Sequence, residues 1–329
     1  MNKRFVVVLA VFVALASCKK DSPKPAPAVP ASLAALPAVA LPPALDDAAA
    51  PHGAWTHPFV YRIGGTKPSW LFGTIHVSEP AFATFPHSLD AAIDQADVVN
   101  TEVPMDPAMG SEFIAGAKLS GGKTLNDVLP APVFARAKGA FAEKGLDLTP
   151  FLHVKPWFLA IEVSMIDHLS ELKLPIDERI YRRAEVAGKA VGGLETLREQ
   201  IDVFDGLTDA EQVSMVEETL DTRDKAKKDG RDPLHELLDA YLAGDEGGLE
   251  RALDRDYDPK NPLDVKMRTR LLTDRNVHMA ERIVEKTRRS PARSWLFAVG
   301  SAHLLGTDGV VAKLRAAGLT VDRVDPPSP

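Results

Sequence analysis

Two stretches of the chain nearly repeat one another. They are Ser69-Trp70-Leu71-Phe72-Gly73-Thr74-Ile75-His76 and, more than 200 residues later, Ser294-Trp295-Leu296-Phe297-Ala298-Val299-Gly300-Ser301-Ala302-His303. Each is a continuous apolar run of the kind a strand buried on both faces needs, and each closes on Gly-x-x-His. A glycine at a strand's end allows positive φ or a close backbone approach, so either histidine can turn out over the carboxyl edge of a sheet. In open α/β sheets that edge is where ligands bind. A lone strand-end histidine is most simply a hydrogen-bonded core residue; two in matching contexts point to one shared polar site.

The rest of the chain fits that frame. Short apolar runs at Phe59 to Ile63, Ser69 to Ile75, Asp97 to Val103, Lys189 to Leu194, Ser294 to Val299 and Leu319 to Val324 alternate with long helical patterns. That alternation is the mark of an α/β fold with a central sheet. Thr149 to Leu172 has helical spacing interrupted at Pro156. Ile176 to Gly188 ends on a glycine suited to a C-cap, and Thr208 with Glu211 stands at capping-box spacing before a helix running to Lys228. The helical content from Pro107 to Leu174 and from Thr196 to Ser290 exceeds simple crossovers. These blocks read as large helical insertions able to wall or cover a site.

Residues 52–329 form the expected globular domain. Residues 1–17 read as a lipoprotein signal peptide: Lys3 and Arg4 precede an apolar run from Phe5 to Ser17 that is too short for the roughly 20 residues spanning a bilayer. Leu15-Ala16-Ser17-Cys18 resembles a bacterial lipobox, in which the cysteine carries acyl chains, palmitate among them, that anchor the protein to a membrane. An ordinary signal peptide with a chance cysteine is the alternative. Cys18 is the single cysteine of the sequence, so a disulfide within the chain is excluded. Residues 18–51, rich in Pro and Ala, read as a semi-rigid tether able to reach about 100 Å at roughly 3.1 Å per residue. The expected location is the cell envelope, the outer membrane if the source is Gram-negative, because Lys19 rather than Asp follows the cysteine. A net charge of −7 is a poor match for nucleic acid as partner.

Two acids occupy positions comparable to the histidines. Glu102 ends Ala96-Asp97-Val98-Val99-Asn100-Thr101-Glu102, and Glu195 ends Lys189-Ala190-Val191-Gly192-Gly193-Leu194-Glu195. Two neutral imidazoles with a carboxylate suit a divalent metal, and a second carboxylate could serve as general base; strand-end acids also serve as helix N-caps. Three other motifs carry little. Ala117 to Thr124 fits a relaxed phosphate-loop pattern but follows a helix rather than a strand. His235-Glu236-Leu237-Leu238-Asp239 approaches His-Glu-x-x-His but has Asp in the last place, and reads as a solvated helix face. Asp221 to Lys228 is a mixed charge run, which usually means exposed surface.

Gly73 to His76, the Glu102 strand, Gly192-Gly193-Leu194-Glu195-Thr196 with Gln200 behind it, Asp274-Arg275-Asn276 and Val299-Gly300-Ser301-Ala302-His303-Leu304-Leu305-Gly306 together resemble the TraB/GumN family, related to the Tiki proteases. The resemblance implies an α/β fold shared with the ChaN and erythromycin-esterase groups. It also implies the metal-dependent peptidase activity of the Tiki branch, attributed to paired Gly-x-x-His motifs with a glutamate. Carried onto this sequence, it marks His76, His303 and Glu102 as metal ligands, with Mn, Co or Zn as the divalent ion. Glu102, Glu195 and Arg275 are the candidate catalytic residues. Arg275 could bind a substrate carboxylate or stabilise an oxyanion, or it could pair with Glu102 or Glu195 to hold the site together. The leading expectation is a membrane-anchored metal-dependent hydrolase acting on a peptide or envelope substrate. A metal-free esterase-like hydrolase with a histidine base and a non-catalytic lipoprotein that binds haem or another ligand are the alternatives.

Overall fold

In a computed structural model, residues 55–106, 108–172 and 175–324 are described. The expected signal peptide, Cys18 and the expected tether lie outside the described residues. No helix among the described residues is long and apolar enough to cross a membrane.

All six expected strands form, five of them trimmed by up to three residues in all and β5 shifted one residue onward: β1 Val60–Ile63, β2 Ser69–Thr74, β3 Val98–Thr101, β4 Ala190–Gly193, β5 Trp295–Gly300 and β6 Val321–Arg323. They make one mixed sheet in the order β4-β3-β5-β2-β1-β6. The two echoing runs are neighbours. β2 and β5 pair in parallel, with Trp70 opposite Leu296 and Thr74 opposite Gly300. β5 also pairs in parallel with β3, and β3 with β4, whereas β1 runs antiparallel to both β2 and β6. Four consecutive strands of the sheet therefore release their chains at the same edge. Every residue of β2 is buried, as are all of β5 but its last, Gly300, as expected for central parallel strands covered on both faces.

The covering layers form two apolar cores. One lines the sheet and includes Phe72, Leu71, Leu296, Phe297 and Tyr241. The other lies within the two helical blocks, where Trp157 stacks on Phe204 with centroids 5.1 Å apart, and includes Phe113, Leu159 and Val216. The insertions thus have an interior of their own rather than serving as a loose wall. Pro156 does not interrupt a helix but begins one, Pro156–Met165, at the position where its missing N–H costs nothing. Thr208 caps Asp209–Lys228 with Glu211 in a capping box, and Gly188 takes φ +69° just past Ile176–Val186.

The charge run on Asp209–Lys228 departs from expectation. Arg223 and Thr222 within it are buried, and Arg223 binds Asp167 at 2.7 Å and Glu143 at 2.9 Å. Here the helix packs into the second core, so one of its charges turns inward to a carboxylate pair. The phosphate-loop pattern is preceded by the helix Met109–Gly116 and ends with Thr124 capping Leu125–Val128, so its strand–loop–helix context is missing.

Gly73 shows what holds the first histidine in place. A Cβ there would stand 2.7 Å from Leu304 Cδ1, 3.0 Å from Phe59 Cβ and 3.1 Å from Ser301 Cα. Its carbonyl oxygen accepts a hydrogen bond of 2.8 Å from the buried Tyr241 hydroxyl. The glycine is needed for close approach between the β2 end and the turn carrying His303, not for positive φ. Gly73→Ala is expected to cost about 1–3 kcal/mol in urea unfolding by overpacking; a wild-type midpoint would show that the approach is slack.

Candidate functional site

At the shared edge, β2 leads through Ile75 to His76, β3 to Glu102, β4 through Leu194 to Glu195, and β5 into the short 3-10 turn Ser301–Leu304 that carries His303. Backbone pairing continues past β3 and β4: Leu194 N–H donates to Thr101 O at 2.9 Å and Glu195 N–H to Glu102 O at 2.7 Å. This sets the two glutamates side by side. Thr196, not Glu195, caps the following helix Leu197–Asp205, which leaves Glu195 free of that structural role.

Arg275, at the start of helix Asp274–Arg289, lies between the two acids. Its Nη2 donates to Glu102 Oε2 at 2.5 Å and to Glu195 Oε2 at 2.8 Å. Its Nε donates to Glu195 Oε1 at 3.1 Å. Nη1 reaches back to the Leu271 carbonyl oxygen, 3.3 Å away in the π-helical turn Thr269–Thr273. Gln200 Nε2 donates to both carboxylates at 3.0 Å. All four side chains are buried. Of the two roles open to Arg275, the structure has it holding the acids together.

Glu102 keeps one oxygen for a different purpose. Oε1 accepts the Gly300 N–H at 2.7 Å and lies 3.7 Å from His303 Nε2. Burial on its own would raise the Glu102 pKa; Arg275, His303 and the Gly300 N–H override it and hold the carboxyl well below its ordinary range. Burial, reinforced by Arg275, pushes His303 down to about 3, so its ring is neutral at physiological pH. His303 Nδ1 faces Asn276 Oδ1 at 2.6 Å, and Asn276 Nδ2 in turn donates to Asp308 O at 3.0 Å. That chain orients the amide with its oxygen toward the ring, which places the imidazole proton on Nδ1 and the lone pair on Nε2.

His76 is arranged in the same way by another partner. Its Nδ1 lies 2.7 Å from the buried Asp177 Oδ2, on helix Ile176–Val186. Burial would lower the His76 pKa, but Asp177 outweighs it and the pKa is raised. His76 Nε2 is buried with no hydrogen-bond partner among the described residues.

The glycine of the second motif explains where that nitrogen points. A Cβ on Gly300 would stand 3.2 Å from Glu102 Oε1, 3.5 Å from His303 Cδ2 and 3.8 Å from His76 Nε2. The missing side chain leaves a small cradle bordered by a carboxylate oxygen and two imidazoles. Each ring is gripped at Nδ1 by a partner of the kind that orients metal-binding histidines. The donor set and the orphaned nitrogen fit a divalent cation. With neutral imidazoles, Asp177, Glu102 and Glu195 against Arg275 leave two negative charges for such an ion to balance.

The five residues singled out from the sequence thus converge. Asp177 was not among them; its position, two residues after Pro175, reads as an ordinary first-turn acid. Asn276 and Gln200 stood in the quoted motifs without an assigned role. The structure gives both one, in orienting His303 and joining the glutamates.

Comparison with known proteins agrees with the motifs. The sequence model of the TraB/PrgY/gumN family matches residues 59–323. The chain is similar to Metalloprotease TIKI2 of Danio rerio, 24% identical over 327 residues that cover 84% of this chain and 61% of that protein. Metalloprotease TIKI1 of Homo sapiens is 24% identical over 309 residues, with 80% and 61% covered. A Metalloprotease TIKI homolog of Amphimedon queenslandica is 22% identical, with 87% and 65% covered. The chain spans roughly three-fifths of the length of these relatives. No solved structure gives a significant match.

Removing the guanidinium would strand two buried carboxylates. Arg275→Met is expected to lose about 3–5 kcal/mol of unfolding free energy, and adding Glu102→Gln and Glu195→Gln to recover part of it. A loss below about 1 kcal/mol for Arg275→Met alone would mean that the pair does not depend on the arginine.

Proposed function

The chain belongs to the TraB/PrgY/gumN family, and on that premise we propose that it is a metal-dependent hydrolase of peptide bonds. It would act from the cell envelope, on a peptide or envelope substrate, tethered through acylated Cys18. The observation that carries this reading is the Gly300 cradle, toward which His76 Nε2, unpartnered, and Glu102 Oε1 converge beside His303.

In this reading His76, His303 and Glu102 hold a manganese, cobalt or zinc ion. Such an ion supplies Lewis-acid polarisation of a carbonyl and a water acidified to near-neutral pKa. The chain's own contribution is preparation. Asp177 and Asn276 keep both rings turned with Nε2 inward, so the ligand geometry exists before substrate arrives. Arg275 keeps Glu102 ionised, which makes it a ligand and a poor proton acceptor; a general base needs a pKa nearer the working pH. Glu195 has both oxygens bound by Arg275 and one also by Gln200. Glu195 and Arg275 therefore act as positioning residues, through Glu102.

A second reading draws on the His76–Asp177 contact, an imidazole paired with a buried carboxylate as in a histidine base with its orienting acid. There His76 Nε2 would take a proton from water directly, without a metal. The two readings part on chelation: the metal reading expects peptide hydrolysis to stop with a chelator and return with Mn²⁺, Co²⁺ or Zn²⁺, and chelator-resistant hydrolysis would favour the histidine base.

Filling the cradle provides a steric test. Gly300→Ala is expected to lower bound metal and peptide hydrolysis by about 10–100-fold, the scale of damage around metal ligands, while the thermal midpoint stays near wild type. Full metal content and full activity in Gly300→Ala would rule out the cradle as the ion's place.

A further inference from the structure

A second group of metal-type side chains lies among the helical blocks, and it includes the histidine that reads from sequence as part of a solvated face. His235 sits in the first turn of helix Pro233–Ala243, only partly exposed, and faces His168 and Glu171 from the turn Ile166–Leu172. The backbone leaves helical geometry at His168, with φ −125° and ψ 23°. His168 Nδ1 lies 3.1 Å from Glu171 Oε1, and His235 Nε2 lies 3.2 Å from the same oxygen. One ligand atom from each of the three residues falls within 4.8 Å of the others.

The opposite ring nitrogens meet a second carboxylate. Asp232 Oδ1 is 3.3 Å from His168 Nε2, and Asp232 Oδ2 is 3.2 Å from His235 Nδ1. Each imidazole therefore has one nitrogen turned to Glu171 and the other to Asp232. That is the arrangement of metal-binding histidines whose outer N–H is held by a carboxylate. Asp232 is also the N-cap of the helix, accepting from His235 N–H at 3.1 Å, so its place is fixed.

Ion pairs between protonated imidazoles and carboxylates are one account of the cluster, and shared ligation of a cation is another that the distances fit. Charge-assisted N–H···O contacts run about 2.7–2.9 Å, and the His76–Asp177 contact of this protein is 2.7 Å. The contacts here are all 3.1–3.3 Å, and those between the would-be ligand atoms, from Glu171 to the two rings, are 3.1–3.2 Å. Donor atoms at the corners of a tetrahedron with arms of about 2.0–2.1 Å stand about 3.3–3.4 Å apart. Nearby guanidiniums are committed elsewhere: Arg223 to Asp167 and Glu143, Arg231 to Glu236 and Asp256. Two neutral imidazoles and two carboxylates leave a double negative charge that one divalent ion would cancel. His168 and Asp232 also border an open cavity with Met165, Thr222 and Asp264, through which an ion and a completing water could enter.

We infer that His168, Glu171 and His235 form a second transition-metal site, for an ion of the zinc or cobalt class, with Asp232 as the carboxylate that orients both rings. The ion would clamp the turn Ile166–Leu172 to helix Pro233–Ala243 and so join the two helical blocks. Ser78 N–H donates to Glu171 O at 2.5 Å, so the clamp also braces the segment that leaves His76. This inference stands independently of the proposed hydrolase site.

The test is a titration of the purified, chelator-stripped full chain with CoCl₂, reading bound cobalt per chain and the visible d–d absorption, with ZnCl₂ as competitor. Wild type is expected to bind two equivalents, one at the Gly300 cradle that His76→Ala abolishes and one that His235→Gln and Glu171→Gln each abolish and that His76→Ala retains. Zinc is expected to raise the thermal midpoint of wild type, and Glu171→Gln, which keeps the side chain's shape, is expected to lose the part of that rise that His76→Ala retains. Cobalt stoichiometry unchanged in both His235→Gln and Glu171→Gln would overturn the inference, as would no cobalt or zinc uptake by wild type. An equivalent lost only in His76→Ala would overturn this site and leave the Gly300 cradle standing; one lost only in His235→Gln and Glu171→Gln would do the reverse.

Discussion

Arg275 between Glu102 and Glu195 is the contact on which the site depends. Two carboxylates side by side in a buried layer repel each other and have lost their water, so their charge needs a counter-charge beside it. A guanidinium has the planar fork that can serve both at once. Its presence keeps Glu102 anionic, and an anionic Glu102 can hold the Gly300 N–H with the same oxygen that faces His303. The charge depresses one pKa and the geometry follows: a firm carboxylate, a neutral His303 and a glycine-sized space lie together at the edge of the sheet.

The sheet's part is to deliver these groups from distant parts of the chain. Pairing β2 with β5 in parallel places the two Gly-x-x-His ends next to each other, and each glycine does something different there. Gly73 lets the chain past β2 press against the turn that carries His303, whereas Gly300 withholds a side chain from the point where three polar groups meet. The helical blocks contribute the outer anchors. Asp177 lies on the helix that follows the first block, and Asn276 and Arg275 lie on the last helix of the second. A site of this kind is completed only when sheet and insertions are both folded.

Much of this was readable from the residues. The six strands were legible because apolar runs bounded by glycine and polar residues have few other uses, and the Thr208–Glu211 pair declared a helix start by its spacing. His76, Glu102, Glu195, Arg275 and His303 were legible because they follow strands or stand in motifs. Asp177 was not, since an acid in a first helical turn is common and its partner is about 100 residues away. The partners of His235 were not legible either, for a related reason. Its helix carries a polar face, and nothing local shows that His168 and Glu171 arrive opposite it from a break in a helix 67 residues earlier. Arg223 was hidden in a charge run by the same blindness to what packs across from it.

The proposed metal site at the Gly300 cradle would be built in advance by the fold. Anomalous diffraction from crystals grown with Mn²⁺ or Co²⁺ tests it most directly. A peak is expected about 2.0–2.3 Å from His76 Nε2, His303 Nε2 and Glu102 Oε1, with the Asp177 and Asn276 contacts unchanged. An active crystal soaked with metal that shows no peak there, or a peak reached only after Arg275 leaves Glu102, would contradict it.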